Sequence, residues 1–165
     1  MELYLVRHAW AEQQDSARWP DDSQRPLTPE GKKRFSKLIR QLAKTQFQAS
    51  LIVTSPLLRA QQTAQLIAKA LKKQGPTLLD HPELAPGGSL HKLVEWTAAQ
   101  TAVHQAIAWV GHAPDIELFC AALIGQGQSL IHFSKGAVAL VRFEKAPALG
   151  QGELQWLVTA KLLGI

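Results

Sequence analysis

Short runs of apolar residues alternate with amphipathic segments along most of the chain. The strongest runs span residues 2–6, 51–54 and 106–110, and each has the length and composition of a strand buried on both faces. A weaker run at 77–80 is consistent with one further short strand. These positions predict a sheet whose central strands are covered on both sides.

Helical periodicity fills the gaps between the predicted strands. Thr28 and Pro29 predict the start of the first helix, because threonine suits the N-cap and proline suits the first helical position. Ser55 and Pro56 repeat this signal after the second strand, so Ser55 is interpreted as a helix cap. The predicted helices cover about residues 28–45, 55–74, 89–100 and 114–124, and Gly125-Gln126-Gly127 is expected to end the last of them.

Two late apolar runs, at residues 137–143 and 153–159, are typical of a hairpin, with Gly150-Gln151-Gly152 between them. Before them, strand and helix alternate. This order predicts an α/β fold in three α/β/α layers: a mostly parallel central sheet with helices on both faces and an antiparallel edge. No repeat or linker interrupts the pattern, so we expect a single domain over residues 1–165.

Composition and charge limit the binding partners that can be expected for this protein. The net charge is +5 and the pI is near 9.6, which permits acidic partners such as phosphate esters, phosphoproteins or nucleic acid. The basic residues are scattered, however, and clusters such as Lys32-Lys33-Arg34 are interpreted as solvated helix faces. Without an RNA-binding signature or zinc-finger spacing, nucleic acid is not an expected partner. No stretch approaches the ~20 apolar residues of a membrane span, so no membrane association is expected.

The cysteine content and the N-terminus bear on localisation. Cys120 is the single cysteine; it lies in an apolar stretch and is expected to be a packed, inert thiol. The chain cannot form an internal disulfide, which fits a reducing compartment. Residues 1–8 lack the basic region and long apolar run of a signal peptide, so a cytoplasmic protein is expected. These features leave the oligomeric state open.

Residues suited to phosphate chemistry follow the three strongest strands. The first strand leads to Arg7 and His8, the second to Arg59 in the first turn of the next helix, and the third to His112. In open α/β sheets, ligands bind beyond the carboxyl ends of the strands. Guanidinium groups and helix N-termini bind phosphate oxygens, and a neutral imidazole is a nucleophile near pH 7. The pattern therefore predicts an anion site suited to phosphoryl transfer.

Four segments carry a more specific signal. They are Leu3-Tyr4-Leu5-Val6-Arg7-His8-Ala9, Arg25-Pro26-Leu27-Thr28-Pro29-Glu30-Gly31, Ser55-Pro56-Leu57-Leu58-Arg59-Ala60-Gln61-Gln62-Thr63-Ala64 and Val110-Gly111-His112. In order and spacing they resemble the Arg-His-Gly, Arg-x-Leu-Thr-x-x-Gly, Ser-Pro-x-x-Arg-Ala-x-x-Thr-Ala and second-histidine motifs of the histidine phosphatase superfamily. The resemblance extends from residue 2 to about residue 125 and implies a phosphoglycerate mutase-like fold.

The resemblance also implies roles for the site residues. His8 would be the nucleophile and would form a phosphohistidine that water hydrolyses. Arg7, Arg59 and His112 would hold the phosphoryl oxygens, with no metal ion and no cofactor. The compact length is most similar to SixA-type phosphohistidine phosphatases, because larger relatives carry insertions that cover the pocket.

One position departs from the family pattern, and the roles of two acidic residues are left open by it. Ala9 replaces the common glycine and is interpreted as a marker of the SixA-like branch. Glu83 is the best positional match to the general acid of mutase-like relatives, and a solvated loop carboxylate is the alternative interpretation. Asp115 is either another acid or a residue that favours the first turn of its helix. Ser55, interpreted above as a helix cap, has a phosphate contact as its secondary interpretation.

The expected substrate is a phosphorylated protein, above all one that carries phosphohistidine, whose labile N–P bond needs little acid help. A small sugar or alkyl phosphate is the alternative, which an acid at Glu83 would favour, and a phosphate-binding module without turnover is a third possibility. Trp10, Arg18 and Trp19, in the loop of residues 9–27, either flank the pocket or pack onto the domain. The remaining histidines lack metal-ligand spacing, so no metal-dependent hydrolase is expected.

Overall fold

The computed structural model describes residues 1–125 and 129–165, and this part of the chain forms six strands and four helices, which alternate until the last two strands. The strands are β1 (Glu2–Arg7), β2 (Leu51–Thr54), β3 (Thr77–Asp80), β4 (Ala106–Gly111), β5 (Val138–Arg142) and β6 (Glu153–Val158). The helices are α1 (Pro29–Leu42), α2 (Leu58–Ala70), α3 (Leu90–Gln100) and α4 (Asp115–Ile124). Short 3₁₀ turns lie at Asp22–Gln24 and Pro82–Leu84. None of the described helices is long and apolar enough to cross a membrane.

The strands form one mixed sheet in the order β3-β2-β4-β1-β5-β6. The first four strands run parallel to their neighbours, β5 is antiparallel to β1, and β6 is antiparallel to β5. The predicted hairpin and antiparallel edge are therefore confirmed. Because β2, β4 and β1 are neighbours, the residues that follow them meet at the same edge of the sheet.

The two faces of the sheet bury separate hydrophobic clusters. On β1, Tyr4 and Val6 belong to the cluster that α1 and α2 cover, whereas Leu3 and Leu5 belong to the cluster that α3 and α4 cover. This alternation is the two-residue repeat of a strand, and it places helices on both sides of the sheet. The predicted three-layer α/β/α architecture is confirmed.

Helix starts follow the sequence signals in one case and depart from them in another. Thr28 caps α1 as predicted, since its Oγ1 accepts a hydrogen bond of 2.9 Å from the backbone N–H of Gly31. The predicted cap at Ser55 is wrong. Leu57 still has extended backbone, so α2 begins only at Leu58, and Ser55 Oγ accepts from the Leu57 N–H instead.

The fourth helix bears on two further expectations. α4 ends at Ile124, and residues 126 and 127 of the expected helix break lie outside the described residues. Cys120 on this helix is wholly buried, and burial raises the pKa of its thiol to about 11. The expectation of a packed, unreactive thiol agrees with this placement, because the thiolate is the reactive form.

The outer faces of α1 and α2 concentrate positive charge. Between residues 26 and 79, Glu30 is the only acidic residue, against ten lysines and arginines, of which only Arg59 is buried. The rest of the chain has twelve acidic and eight basic residues. The basic residues look scattered along the sequence, but the fold places their excess over acidic residues in the helical layer formed by α1 and α2.

Candidate active site

The ends of β1, β2 and β4 bring the predicted site residues to one edge of the sheet. The His8 N–H donates to the Gly111 carbonyl oxygen at 2.9 Å, and the Ser55 N–H donates to the Val110 carbonyl oxygen at 2.9 Å. These bonds continue the sheet ladder just beyond its strands. The ring centroids of His8 and His112 are 5.1 Å apart as a result.

His8 presents one unprotonated ring nitrogen. Its Nδ1 lies 2.7 Å from the Ala9 carbonyl oxygen, which can only accept, so Nδ1 carries the proton and Nε2 keeps its lone pair. Burial and then the neighbouring His112 lower the pKa of His8 to about 3, with smaller contributions in the same direction from Arg59 and Arg7. The imidazole is therefore neutral at pH 7 and is available as a nucleophile.

Two arginines supply the positive charge of the site. Arg7 ends β1, and its Nη1 donates to the Phe133 carbonyl oxygen at 2.6 Å. Arg59 lies in the first turn of α2 and is 5% exposed. Burial lowers the pKa of both guanidinium groups, yet arginine stays protonated in proteins at neutral pH. The pocket therefore holds two partly desolvated cations beside a neutral imidazole.

Three buried side-chain nitrogens in this pocket have no hydrogen-bond partner among the described residues. They are Nε of Arg7, Nε of Arg59 and Nδ1 of His112; the two other such atoms belong to the indoles of Trp19 and Trp156. Buried polar groups are nearly always paired in native proteins. Unpaired nitrogens from three different elements in the same site as His8, two of them on cationic guanidinium groups, indicate a site for an anion with several acceptor oxygens.

His112 is held by a hydroxyl group. Its Nε2 lies 2.8 Å from Ser55 Oγ, and the two side chains are 4% and 0% exposed. Burial, followed by the charge of Arg59, lowers the pKa of His112 to about 3. Both histidines of the site are therefore neutral near pH 7.

The structure adds two residues to the site that sequence reasoning did not single out. Asp22, in the loop before α1, accepts from Arg59 Nη1 through its backbone carbonyl at 2.9 Å and its carboxylate at 3.1 Å. The same carboxylate lies 2.7 Å from Arg25 Nε. Thr63 Oγ1 accepts from the Ala9 N–H at 3.0 Å and donates to the Arg59 carbonyl oxygen at 2.7 Å. Thr63 thereby connects the chain that leaves His8 to the helix that carries Arg59.

A close backbone contact explains why the segment of residues 25–31 ends in glycine. A Cβ atom at this position would lie 2.2 Å from the Trp10 carbonyl oxygen, a distance that no side chain tolerates. That oxygen also accepts from the Thr28 N–H at 3.0 Å. The glycine therefore lets α1 begin directly against the chain that leaves His8.

The aromatic loop residues have different surroundings. The Trp10 ring is half-buried beneath the Arg34 guanidinium, whose carbon lies 4.3 Å from the ring centroid. Trp19 lies beside the exposed Arg18, at 5.2 Å, within the same loop. Trp10 thus packs against α1, which is the second of the two expectations for it.

Glu83 and Asp115 both hold the turn next to β4. Glu83 Oε2 accepts from the Ser89 N–H at 2.6 Å, and its Oε1 lies 3.7 Å from Lys92 Nζ. Asp115 Oδ2 accepts from the Gly87 N–H at 2.8 Å. Leu84, which follows Glu83, packs on Gly111 just before His112. Glu83 is therefore a neighbour of the pocket, and its role as a general acid stays a prediction.

The described part of the chain contains no group of three or more histidine, cysteine, aspartate or glutamate side chains placed to hold a metal ion. Three of the other histidines have partners, and His132 Nδ1 lies 3.3 Å from a Glu117 carboxylate oxygen. His104 Nδ1 lies 3.0 Å from Ser50 Oγ, and His81 Nδ1 accepts from the Glu83 N–H at 3.2 Å. The polar groups around His8 are mainly hydrogen-bond donors, which suit an anion.

Comparison with known proteins agrees with this chemistry. Residues 3–85 match the model of the histidine phosphatase superfamily (branch 1). An uncharacterized protein of Picosynechococcus sp. (strain ATCC 27264 / PCC 7002 / PR-6) is 36% identical over 148 residues, in a match that covers 86% of this chain and 85% of that protein. This chain belongs to the histidine phosphatase superfamily. Its activity is accordingly that of a phosphatase.

Solved structures share the fold of this superfamily member over its full length. The protein histidine phosphatase SixA, complexed with tungstate, superposes with a TM-score of 0.85 at 24% identity and 99% coverage of both chains. A putative alpha-ribazole-5'-P phosphatase from Escherichia coli str. K-12 substr. MG1655 superposes with a TM-score of 0.68 at 20% identity and 97% coverage of both chains. The phosphoglycerate mutase-like fold expected from the sequence is confirmed.

Proposed function

We propose that this protein is a metal-independent phosphatase that takes a phosphoryl group onto Nε2 of His8, and that its substrate is phosphohistidine in a protein. One observation carries the proposal: three unpaired buried nitrogens lie in the same site as a histidine whose Nδ1 contact with a carbonyl oxygen leaves Nε2 with its lone pair. Donors fixed in a partly desolvated pocket are what the charge of a transferring phosphoryl group requires.

The reaction proceeds in two displacements. His8 Nε2 attacks phosphorus, the bond from phosphorus to the leaving atom breaks, and the leaving group departs with the bonding electrons and takes up a proton. Water then attacks the phosphorus of the phosphohistidine, the N–P bond breaks, and His8 and inorganic phosphate are released. In both steps Arg7, Arg59 and His112 donate to the phosphoryl oxygens.

The backbone around His8 supports this chemistry. Phosphorylation at Nε2 leaves the proton on Nδ1 and makes the ring cationic. The Ala9 carbonyl oxygen, 2.7 Å from Nδ1, stabilises that charge. Asp22 holds the Arg59 side chain, and Thr63 holds the Ala9 backbone against the helix that carries Arg59. These contacts position the donors and the nucleophile toward the same phosphorus.

Two features favour phosphohistidine over a stable alkyl ester. Both oxygens of the Glu83 carboxylate have partners in the turn, the Ser89 N–H and Lys92, and neither oxygen is directed to a leaving group by these contacts. An imidazole leaving group from a labile N–P bond needs less acid assistance than an alkoxide. The positive layer of α1 and α2 also favours encounter with an acidic phosphoprotein. The likeness to the protein histidine phosphatase SixA supports the same substrate class, whereas the likeness to alpha-ribazole-5'-P phosphatase supports a small phosphate ester.

A substrate panel separates these two classes. We expect kcat/KM for a phosphohistidine-bearing phosphotransfer protein to exceed that for sugar and alkyl phosphates by at least about a hundredfold. We expect Glu83→Gln to change it by less than about threefold, because general acid catalysis typically contributes 10²–10⁴-fold where it operates. Phosphate release from each substrate, with His8→Ala as the background control, measures both values.

The opposite pattern would replace the proposal. Preference for a small ester, together with a loss of about a hundredfold or more in Glu83→Gln, would identify a metabolite phosphatase with Glu83 as its acid. Binding of phosphate without turnover of any substrate in the panel would favour the non-catalytic module.

Activity is expected to persist in excess EDTA, within about twofold of the untreated enzyme. The reason is that guanidinium and imidazole N–H groups fill the charge-stabilising role that a metal ion plays in other phosphatases. Phosphate release after dialysis against EDTA measures this, with a Mg²⁺-dependent phosphatase treated in parallel as the control. Loss of activity that added metal restores would contradict the mechanism.

A further inference from the structure

The Ser55 hydroxyl lies between a backbone donor and the ring of His112. It is wholly buried, and its oxygen is 3.2 Å from the Leu57 N–H and 2.8 Å from His112 Nε2. The Leu57 N–H can only donate, so it occupies a lone pair of the hydroxyl oxygen. The hydroxyl proton remains, and the two contacts together decide where it points.

That proton has one acceptor within reach. Among the described residues, His112 Nε2 is the only acceptor placed at hydrogen-bond distance from Ser55 Oγ. A buried hydroxyl proton without an acceptor is costly, so the O–H is directed to the ring. Nε2 is therefore the unprotonated nitrogen of His112. Because burial keeps this ring neutral at pH 7, its single proton is on Nδ1.

The position of this proton decides how His112 meets an anion. His112 Nδ1 is buried and has no partner among the described residues, which leaves it free for a ligand. With a proton, Nδ1 donates to a phosphoryl oxygen. In the other tautomer it presents a lone pair to the same oxygen and repels it.

We propose that Ser55 is a positioning residue that fixes His112 in the Nδ1–H tautomer and thereby makes it a phosphate-binding donor. This inference rests on the phosphate site proposed above. It gives the serine of the Ser-Pro-x-x-Arg segment a function in place of the helix cap that its sequence position suggests. Ser55 acts through His112 and does not itself touch the phosphoryl group.

Nuclear magnetic resonance and phosphate binding test this together. In long-range ¹H–¹⁵N spectra of the free wild-type protein, we expect His112 to carry its proton on Nδ1. In Ser55→Ala, we expect the Nε2–H tautomer to become populated and the Kd for inorganic phosphate to rise by about ten- to a hundredfold, the range for losing a hydrogen bond to a charged group. Thr54→Val is the matched control, because it removes the neighbouring buried hydroxyl, whose one hydrogen bond within the described part of the chain is to the Ser55 carbonyl oxygen.

Each outcome separates the hypotheses. A wild-type His112 protonated on Nε2, or a Ser55→Ala protein that retains the Nδ1–H tautomer, would overturn the role of Ser55 even if phosphate binds. A wild-type protein that fails to bind inorganic phosphate would overturn the phosphate site instead. If Ser55→Ala does not fold, the wild-type tautomer by itself still decides the question. Equal weakening of phosphate binding in Thr54→Val would reduce Ser55 to a packing role.

Discussion

His8→Ala leaves a folded protein whose kcat falls by at least about four orders of magnitude, as removal of a nucleophile does in other enzymes with covalent intermediates. No other side chain of the site can take its place. His112 Nε2 is occupied by Ser55, and the arginines are donors without a lone pair to offer. The readouts are phosphate release and trapping of the acid-labile phosphoenzyme, which the variant should not form.

Binding and chemistry should separate in this variant. Arg7, Arg59 and His112 remain, so His8→Ala is expected to bind inorganic phosphate with an affinity close to that of the wild type. His104→Ala is the matched control, because His104 contacts Ser50 away from the pocket and its loss should leave turnover unchanged. Activity of His8→Ala within tenfold of the wild type would show that the nucleophile lies elsewhere.

Acidification is expected to destabilise the protein strongly between pH 6.5 and 4.5 in phosphate-free buffer. His8 and His112 have pKa values of about 3 in the folded protein, against the ordinary value of 6.5. Below pH 6.5 the unfolded chain therefore binds protons at these positions that the folded chain does not, so stability falls as the pH falls. At about 1.4 kcal/mol per pH unit for each group, the two histidines reduce the free energy of unfolding by at most about 5 kcal/mol over this range.

Urea unfolding at several pH values measures this dependence. Carboxylates such as Asp22, whose pKa the Arg25 guanidinium lowers, contribute a loss of the same sign at lower pH. The double variant His8→Ala/His112→Ala isolates the histidines and should flatten the curve between pH 6.5 and 4.5. A wild-type protein whose stability is constant over this interval would contradict the neutral, buried state of both rings.

The fold was largely predictable because its signals are local. The runs at residues 51–54 and 77–80 form strands with those bounds, and Thr28 with Pro29 marks the start of α1. The parallel order then brings Arg7, His8 and His112 to one edge, since connections in such sheets place strand ends together. The first helix is shorter than predicted, ending at Leu42, because the next residues form turns that periodicity alone does not distinguish from helix.

The supporting contacts of the site were not predictable, because they join residues distant in the sequence. Asp22 reaches Arg59 across 37 positions, from a loop with no periodic pattern. Ser55 has a local signal for capping, and its contact with His112, 57 positions away, replaces that role. Thr63 is an intermediate case: it lies one helical turn after Arg59, a spacing that places the two on the same face of a helix.

The unpaired donors of Arg7, Arg59 and His112 lower the folding stability of this protein, although its activity depends on them. A buried donor without an acceptor costs about 1–3 kcal/mol, and the partial burial of the Arg7 and Arg59 guanidinium groups disfavours their charged form. Because Arg59 and His112 also hydrogen-bond Asp22 and Ser55, only replacement of a residue together with its partner by apolar groups of matching shape would give a more stable protein, and that protein would have no activity. Selection for thermostability alone would therefore replace residues at this edge of the sheet. Stabilising substitutions that preserve turnover belong on the surfaces far from it.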